Sequence, residues 1–433
     1  MSVLNVIRVD GASCWCDETS SEGSTTSLRQ QIHPTHSQKD HRKGFEERKM
    51  TKKVVLLYGD TGGGHRSAAQ AIAKGLLQIY GSAVSVTLAN GLEDVPGIIS
   101  AFTDTYPMWV NHARVLYAIG FHATNNRRRI VALRSVIDPL SEKTADYIVE
   151  RWPADIYVSC HLLFAQSIPS AIKRLGSHAK IVHVVTDLVS GHAAHYALDV
   201  DHVIVPTTES RRDAIRNYVP RNKITITGQP VSPDFQSRIG NRVDTRKRMG
   251  LDDERLTVLL IGGGDGMGRL EVTARQLALS ALPIELIVVC GRNNMVKENL
   301  EFLNPRVPMH LMGFVDNIPE LMGASNVLVT KAGPGTICEA FIAGLPIILY
   351  DAVPGQEEGN VDYVVDSGAG AWCPTPWSVL KQLKTWLSEP HMLRLAHLAS
   401  AKLARPDSSL DIARVIGRIL ELEPEKNESR SPN

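Results

Sequence analysis

Twice in this chain a short, unbroken apolar run stops at a cluster of glycines, and a helix-period segment follows. The first run is Lys53-Val54-Val55-Leu56-Leu57-Tyr58, closed by Gly59-Asp60-Thr61-Gly62-Gly63-Gly64-His65; the second is residues 256–261, closed by Gly262-Gly263-Gly264-Asp265-Gly266-Met267-Gly268. A strand that is apolar at nearly every position is buried on both faces, which is the condition of a parallel strand covered by helices. The alternation continues after each. Residues 84–88, 156–159, 181–186, 202–205 and 223–227 read as strands in the first series, and 284–290, 309–312, 327–330 and 346–350 in the second. Two such series predict an α/β chain of two Rossmann-like domains facing a cleft.

A length of 433 residues accommodates that plan with room for tails. Residues 228–234 contain Pro230 and Pro233 and read as the linker between a domain at 53–232 and one at 233–423. Residues 1–52 lack apolar periodicity and read as a disordered tail, and 424–433 as a polar one. The first tail has no apolar core of a secretory signal. The 11 Ser and Thr of residues 1–50 suit a plastid-type targeting segment, the seven acids there do not, and Met50 offers a second start beside the first strand. With 47 basic and 46 acidic side chains, the chain is no globally basic nucleic-acid binder. The balance is uneven, however: 18 basic against 14 acidic in 53–232, and 19 against 23 in 233–423. The first of these segments also holds 9 of the 15 His. No apolar run approaches the length of a membrane span, so membrane contact is expected to be peripheral, on a cytoplasmic face. Six cysteines without a Cys-x-x-Cys pair suit a reducing compartment.

The glycine turns carry the chemistry. Between a strand and a helix, Gly63 and Gly64 let backbone N–H groups approach a ligand beside the positive helix end, although a tight turn alone needs the same residues. The turn lacks the Lys-Ser/Thr of a phosphate-binding loop and the spacing of a dinucleotide fingerprint. His65 at its end is a candidate general base, with Asp60 or Asp187 to assist it. Gly264 and Gly266 repeat the physics in the second series. Lys331-Ala332-Gly333-Pro334-Gly335-Thr336 forms a third anion site at a helix start, and Glu339 falls one turn inside that helix. A carboxylate there suits a ribose diol, or simply the helix dipole. Gln356, Glu357 and Asn360 form a polar cluster fit for sugar hydroxyls, or an ordinary solvated loop.

Taken together, these phrases resemble the monogalactosyldiacylglycerol synthases of glycosyltransferase family 28. The similarity extends to Val185-Thr186-Asp187-Leu188, to residues 228–233 and to Gly313-Phe314-Val315, and covers roughly residues 53–375. Asp265 stands where that family has Glu, and residues 87–91 lack its acidic continuation. The resemblance implies a GT-B fold with the acceptor in the first domain and a UDP-hexose in the second. It implies an inverting transfer of galactose or glucose to the 3-hydroxyl of diacylglycerol, with no cofactor and no catalytic metal. His65 would be the base. The backbone at Phe314 and Val315 would meet uracil, and Glu339 the ribose. Lys331, Gly333, Gly335 and Thr336, with Gly264 and Gly266, would hold the diphosphate, and Gln356, Glu357 and Asn360 the hexose. The competing expectations are another alcohol acceptor on the same fold, a UDP-sugar epimerase, and a nucleotide-sugar-binding protein without activity.

Residues 101–140 turn aromatic and basic, with Phe102, Tyr106, Trp109, Tyr117, Phe121 and the run Arg127-Arg128-Arg129. Such a segment suits an anionic membrane surface, or a helical excursion with its aromatics packed inside.

Overall fold

The computed structural model describes residues 51–59, 63–92, 114–189, 191–196, 199–263 and 269–425, with backbone alone for 133–140. The expected strands at 53–58 through 223–227 form one six-stranded parallel sheet: β1 (Lys52–Tyr58), β2 (Val84–Asn90), β3 (Ile156–Ser159), β4 (Lys180–Val184), β5 (His202–Val205) and β6 (Ile224–Ile226). Its order is β2-β1-β3-β4-β5-β6. The second series makes another parallel sheet from β7 (Leu256–Ile261), β8 (Ile284–Val289), β9 (Met309–Met312), β10 (Val327–Lys331), β11 (Ile347–Asp351) and β12 (Gly370–Trp372), in the order β12-β11-β10-β7-β8-β9. The three-residue edge strand β12 was not foreseen. It is too short to show a pattern, and Gly370 is there because a Cβ would come within 2.0 Å of the Ile347 carbonyl oxygen.

Alternation within each strand separates two cores per sheet. Val55 and Leu57 of β1 face one apolar layer, and Val54 and Leu56 the opposite one. Leu259 and Ile261 of β7 likewise face away from Val258 and Leu260. Fully burying one such side chain contributes roughly 1.5–3 kcal/mol, so each strand is held firmly from both sides. Each sheet also has a place where strand order reverses: between β1 and β3 in the first, and between β7 and β10 in the second. Chains leaving the two central strands there diverge to opposite faces and leave a crevice at the carboxyl ends. The glycine turns at Gly59 and Gly262, and the turn at Lys331, stand at those crevices.

The expected domain 233–423 requires a correction at its end. The helix Ser408–Ile419 leaves the second sheet and buries Ile412, Ala413, Val415 and Ile416 in the first domain's core, against Ala69, Ile72 and Leu76. Its amphipathic face matches the outer face of the helix Gly64–Tyr80, which would otherwise lie bare. The chain thus crosses between domains twice, and the crossings are tied. Ser409 Oγ donates to the Val231 carbonyl at 2.6 Å, and the Val231 N–H donates to Ser408 Oγ at 3.3 Å. Among the described residues no helix is long and apolar enough to cross a membrane.

The two helices approach through Gly75, where an added Cβ would lie 2.6 Å from the Ser409 carbonyl oxygen. Backbone cannot step aside as a side-chain tip can. Gly75→Ala is therefore expected to destabilise by about 1–2 kcal/mol, the overpacking outweighing about 1 kcal/mol of helix propensity. A denaturant midpoint equal to or above that of the parent would contradict this packing.

Candidate active site

At the first crevice, Gly59 is closely covered: a Cβ there would meet the tip of Leu92, its Cδ1, at 2.5 Å. Gly63 has φ +79°, a left-handed conformation, and stands immediately before the helix Gly64–Tyr80, whose start no side chain caps. Two residues on, half-buried His65 turns toward the carboxyl ends of β3 and β4. Its Nδ1 lies 2.8 Å from the carbonyl oxygen of Cys160 and 3.0 Å from Thr186 Oγ1. A carbonyl oxygen only accepts, so Nδ1 carries the proton and the ring's lone pair is on Nε2. His161 packs edge-on against the ring, with centroids 4.7 Å apart. Burial holds His161 well below its ordinary pKa.

Asp187 follows Thr186 at the end of β4, and it does not pair with His65. Its Oδ2 lies 2.9 Å from His195 Nε2, and its Oδ1 accepts from Gln356 Nε2 at 3.1 Å. Burial alone would raise its carboxyl, but the hydrogen bonds from His195 and Gln356 bring it below the ordinary range. Asp60, the other acid considered for His65, lies outside the described residues, as do Gly264 and Gly266.

At the second crevice, β10 ends in Lys331 with a shift of register against β11. Gly263, at φ +78°, ends the preceding turn beside Lys331, whose Cε a Cβ added there would meet at 3.5 Å. The helix Pro334–Ile342 starts at Gly333 with no side-chain cap, so the amides at Gly335 and Thr336 form an open positive end. Lys331 Nζ is 2.9 Å from Glu357 Oε1, while Glu357 Oε2 accepts from the Val353 N–H at 2.9 Å. Buried Asn360 donates to the Ala332 carbonyl at 2.9 Å, and its Oδ1 meets no partner among the described residues. Of the three residues assigned to sugar hydroxyls, Glu357 and Asn360 thus brace the turn, and Gln356 is the one reaching across to the other domain. Glu339 is half-buried one turn inside the helix, and burial raises its carboxyl to about 7. Exposed Phe314 lies beside half-buried Val315 beyond β9, with Arg292 over its ring at 4.8 Å.

Of the segment singled out as aromatic and basic, residues 114–140 are described, and part of them reaches the second domain. The helix Arg114–Thr124 lays one face on the loop after β11. Arg114 grips Asp351 with both terminal nitrogens at 2.7 and 3.3 Å and also bonds the Ala352 carbonyl. Tyr117 donates to Gln356 Oε1 at 2.9 Å. Phe121 packs on Gly355, where φ is +80° and a Cβ would come within 2.8 Å of the ring. The opposite face exposes Val115, Leu116 and Ile119, each at least 60%. Tyr117 and Phe121 therefore pack inward; Phe102, Tyr106 and Trp109 lie outside the described residues. Sequence reasoning missed Arg114, Tyr117 and His195. The signal available was the concentration of histidines in the first domain and the aromatic spacing at 117 and 121, neither of which names a partner 200 residues away.

A family model described as monogalactosyldiacylglycerol (MGDG) synthase matches residues 65–231, and the glycosyltransferase family 28 C-terminal domain matches residues 257–408. A probable monogalactosyldiacylglycerol synthase 3, chloroplastic, of Oryza sativa subsp. japonica is 35% identical over 377 residues, 84% of this chain and 74% of that one. Monogalactosyldiacylglycerol synthase 3, chloroplastic, of Arabidopsis thaliana is 34% identical over 377 residues, 84% of this chain and 81% of that one. The crystal structure of Acinetobacter baumannii MurG superposes with a TM-score of 0.54 at 18% identity, covering 85% of this chain and 99% of that one. This last likeness concerns the fold, which is the two-domain GT-B arrangement.

Proposed function

This chain belongs to the monogalactosyldiacylglycerol synthase family within glycosyltransferase family 28, and from that footing we propose that it moves galactose from UDP-galactose to the 3-hydroxyl of 1,2-diacylglycerol, with inversion and with His65 as base. The choice of galactose rests on the names of the relatives. The observation that carries the mechanism is the hydrogen bond of His65 Nδ1 to the Cys160 carbonyl, which leaves Nε2 as the proton-accepting nitrogen. A diacylglycerol hydroxyl is a poor nucleophile at neutral pH. A base that takes its proton as the bond to the anomeric carbon forms contributes roughly 10²–10⁴-fold. On the other side of that carbon the bond to UDP breaks and negative charge collects on the diphosphate. The uncapped start of the helix Pro334–Ile342, Lys331 and the glycine turn at Gly262 are fixed positive groups suited to that charge. Glu339 suits the ribose diol, Phe314 and Val315 the uracil, and Gln356 with the unmet Oδ1 of Asn360 the hexose hydroxyls.

The acceptor is a lipid, and the outward face of the helix Arg114–Thr124 supplies a means of reaching it. Val115, Leu116 and Ile119 stand exposed, and Arg127-Arg128-Arg129 begin the next helix. An apolar stripe beside arginines suits the interface of an anionic leaflet.

His65→Ala is expected to lower kcat by at least about 100-fold with UDP-galactose affinity retained. Loss of binding together with turnover would overturn the assignment of His65 as base. Glu339 gives a pH dependence of known sign. Burial raises its carboxyl to about 7, and ribose hydroxyls donate better to the carboxylate. UDP-galactose affinity should therefore be greater above that pH and fall as pH drops through it, by up to about tenfold per unit. Glu339→Gln should flatten the profile; an unchanged profile counts against ribose binding at this residue. Leu116→Asp with Ile119→Asp should abolish co-sedimentation with liposomes containing anionic lipid, and undiminished co-sedimentation would remove this helix from the membrane contact.

A further inference from the structure

Beside His65 stands a second histidine to which the transfer has so far given no task. His161 follows β3 and immediately precedes the helix Leu162–Arg174, whose start it caps: its Nδ1 accepts from the Leu163 N–H at 3.3 Å. The Ser159 hydroxyl donates to the His161 carbonyl at 2.7 Å, so backbone and ring are both held. The residue is 8% exposed, and its ring packs edge-on to His65.

These bonds settle what the ring can offer. A backbone N–H only donates, so Nδ1 presents a lone pair to it and is engaged there. Burial holds the ring well below its ordinary pKa and so keeps it neutral. A neutral imidazole whose Nδ1 is the acceptor bears its one proton on Nε2. That N–H meets no partner among the described residues, and Nε2 is not among the polar atoms sealed from solvent. Cδ2, which is bonded to Nε2, is the ring atom closest to where a Cβ on Gly59 would stand, at 3.3 Å. The N–H therefore opens at the first crevice. The wall around it is apolar: the tip of Leu92 shares the approach to Gly59, and the Phe164 and His161 rings have centroids 5.8 Å apart.

A group that donates and cannot accept suits an oxygen that accepts and cannot donate. The oxygens of a UDP-sugar fall to the second domain, and the reacting hydroxyl gives its proton to His65. What remains on a diacylglycerol is its ester carbonyls, and the nearer of them, on carbon 2, is a few bonds from the 3-hydroxyl along the same glycerol. We propose that His161 is a specificity-determining contact of the acceptor: its Nε2–H donates to the carbonyl oxygen of the ester on carbon 2, while the neighbouring 3-hydroxyl faces His65. In an apolar wall little water competes for such a bond. It holds the glycerol at two points instead of one, which directs the hydroxyl toward the base. This inference rests on the reading of diacylglycerol as acceptor and His65 as base.

The test uses 1,2-diacylglycerol and its 1-acyl-2-alkyl analogue, in which that carbonyl is a methylene and the 3-hydroxyl is kept. Each is supplied with UDP-galactose in liposomes of the same composition, and kcat/KM is measured. The parent protein is expected to favour the diester about tenfold, as one hydrogen bond would give. His161→Ser keeps a residue suited to capping the helix but is too short to reach the ester. It should lower turnover of the diester to that of the analogue, leave the analogue unchanged, and so bring the ratio to about one. A parent that turns over both acceptors alike overturns the proposal without need of a variant. A ratio that survives in His161→Ser, with both acceptors slowed equally, overturns it as well, since a purely structural role acts on both. If the parent binds UDP-galactose yet makes no glycolipid from the diester, the reading of the acceptor falls, and this contact with it.

Discussion

Each parallel sheet has to reverse its strand order once, and the crevices left by those two reversals are where the chemistry of this protein is assembled. At β1 and β3 the reversal parts the turn at Gly59 from the loop at Cys160, so that His65 can reach the Cys160 carbonyl. At β7 and β10 it parts the turn at Gly262 from the turn at Lys331 and leaves the helix start at Gly333 uncapped. The strands themselves are fixed by apolar layers on both faces, and this rigidity lets short loops hold polar groups in defined positions. Everything else in the site depends on these two gaps facing one another.

Backbone carbonyls do much of the orienting. Cys160 and Ser159 lie at the carboxyl end of β3 and each accepts from the Nδ1 of a different histidine, His65 and His183. A carbonyl cannot change its protonation state, so it sets a tautomer without adding a titrating group of its own. The consequences differ with burial. His65 is half-buried at the cleft, where a lone pair can meet a substrate. His183 is sealed in, where its Nε2 lies 2.9 Å from His195 Nδ1, and His195 in turn meets the Asp187 carboxylate. Gln356, on the loop after β11, meets both Asp187 and Tyr117 of the helix Arg114–Thr124.

The parts that were legible in the sequence share a physical feature: their information is local. Strands buried on both faces are apolar at consecutive positions, which made central strands such as β3, β7 and β8 readable; of the twelve strands among the described residues, β12, three residues long at an edge, was the one not foreseen. Glycine turns were readable because left-handed φ, as at Gly63 and Gly263, excludes almost every other residue. What escaped was the return of the helix Ser408–Ile419 to the first domain. Its amphipathic pattern declares that a face is buried without declaring against what. The inward packing of Tyr117 and Phe121 escaped for the same reason, and so did the partner of Asp187: Thr186-Asp187 beside a candidate base reads as assistance to that base until His195 is seen eight residues on, folded against it.

The sequence by itself determined the two parallel sheets and the turns that need the left-handed glycines Gly63 and Gly263. These follow from burial periodicity and steric exclusion, which act over a few neighbouring residues. Tertiary structure alone decided which polar residues meet: that Asp187 answers to His195 and Gln356 rather than to His65, that Glu357 and Asn360 brace a turn, and that a helix of the first domain grips the loop of the second through Arg114 and Asp351. Hydrogen bonds and ion pairs reach only a few ångströms, so their partners are set by where the chain has been brought, and in this protein that is decided by two gaps in two sheets and a chain that crosses between them twice.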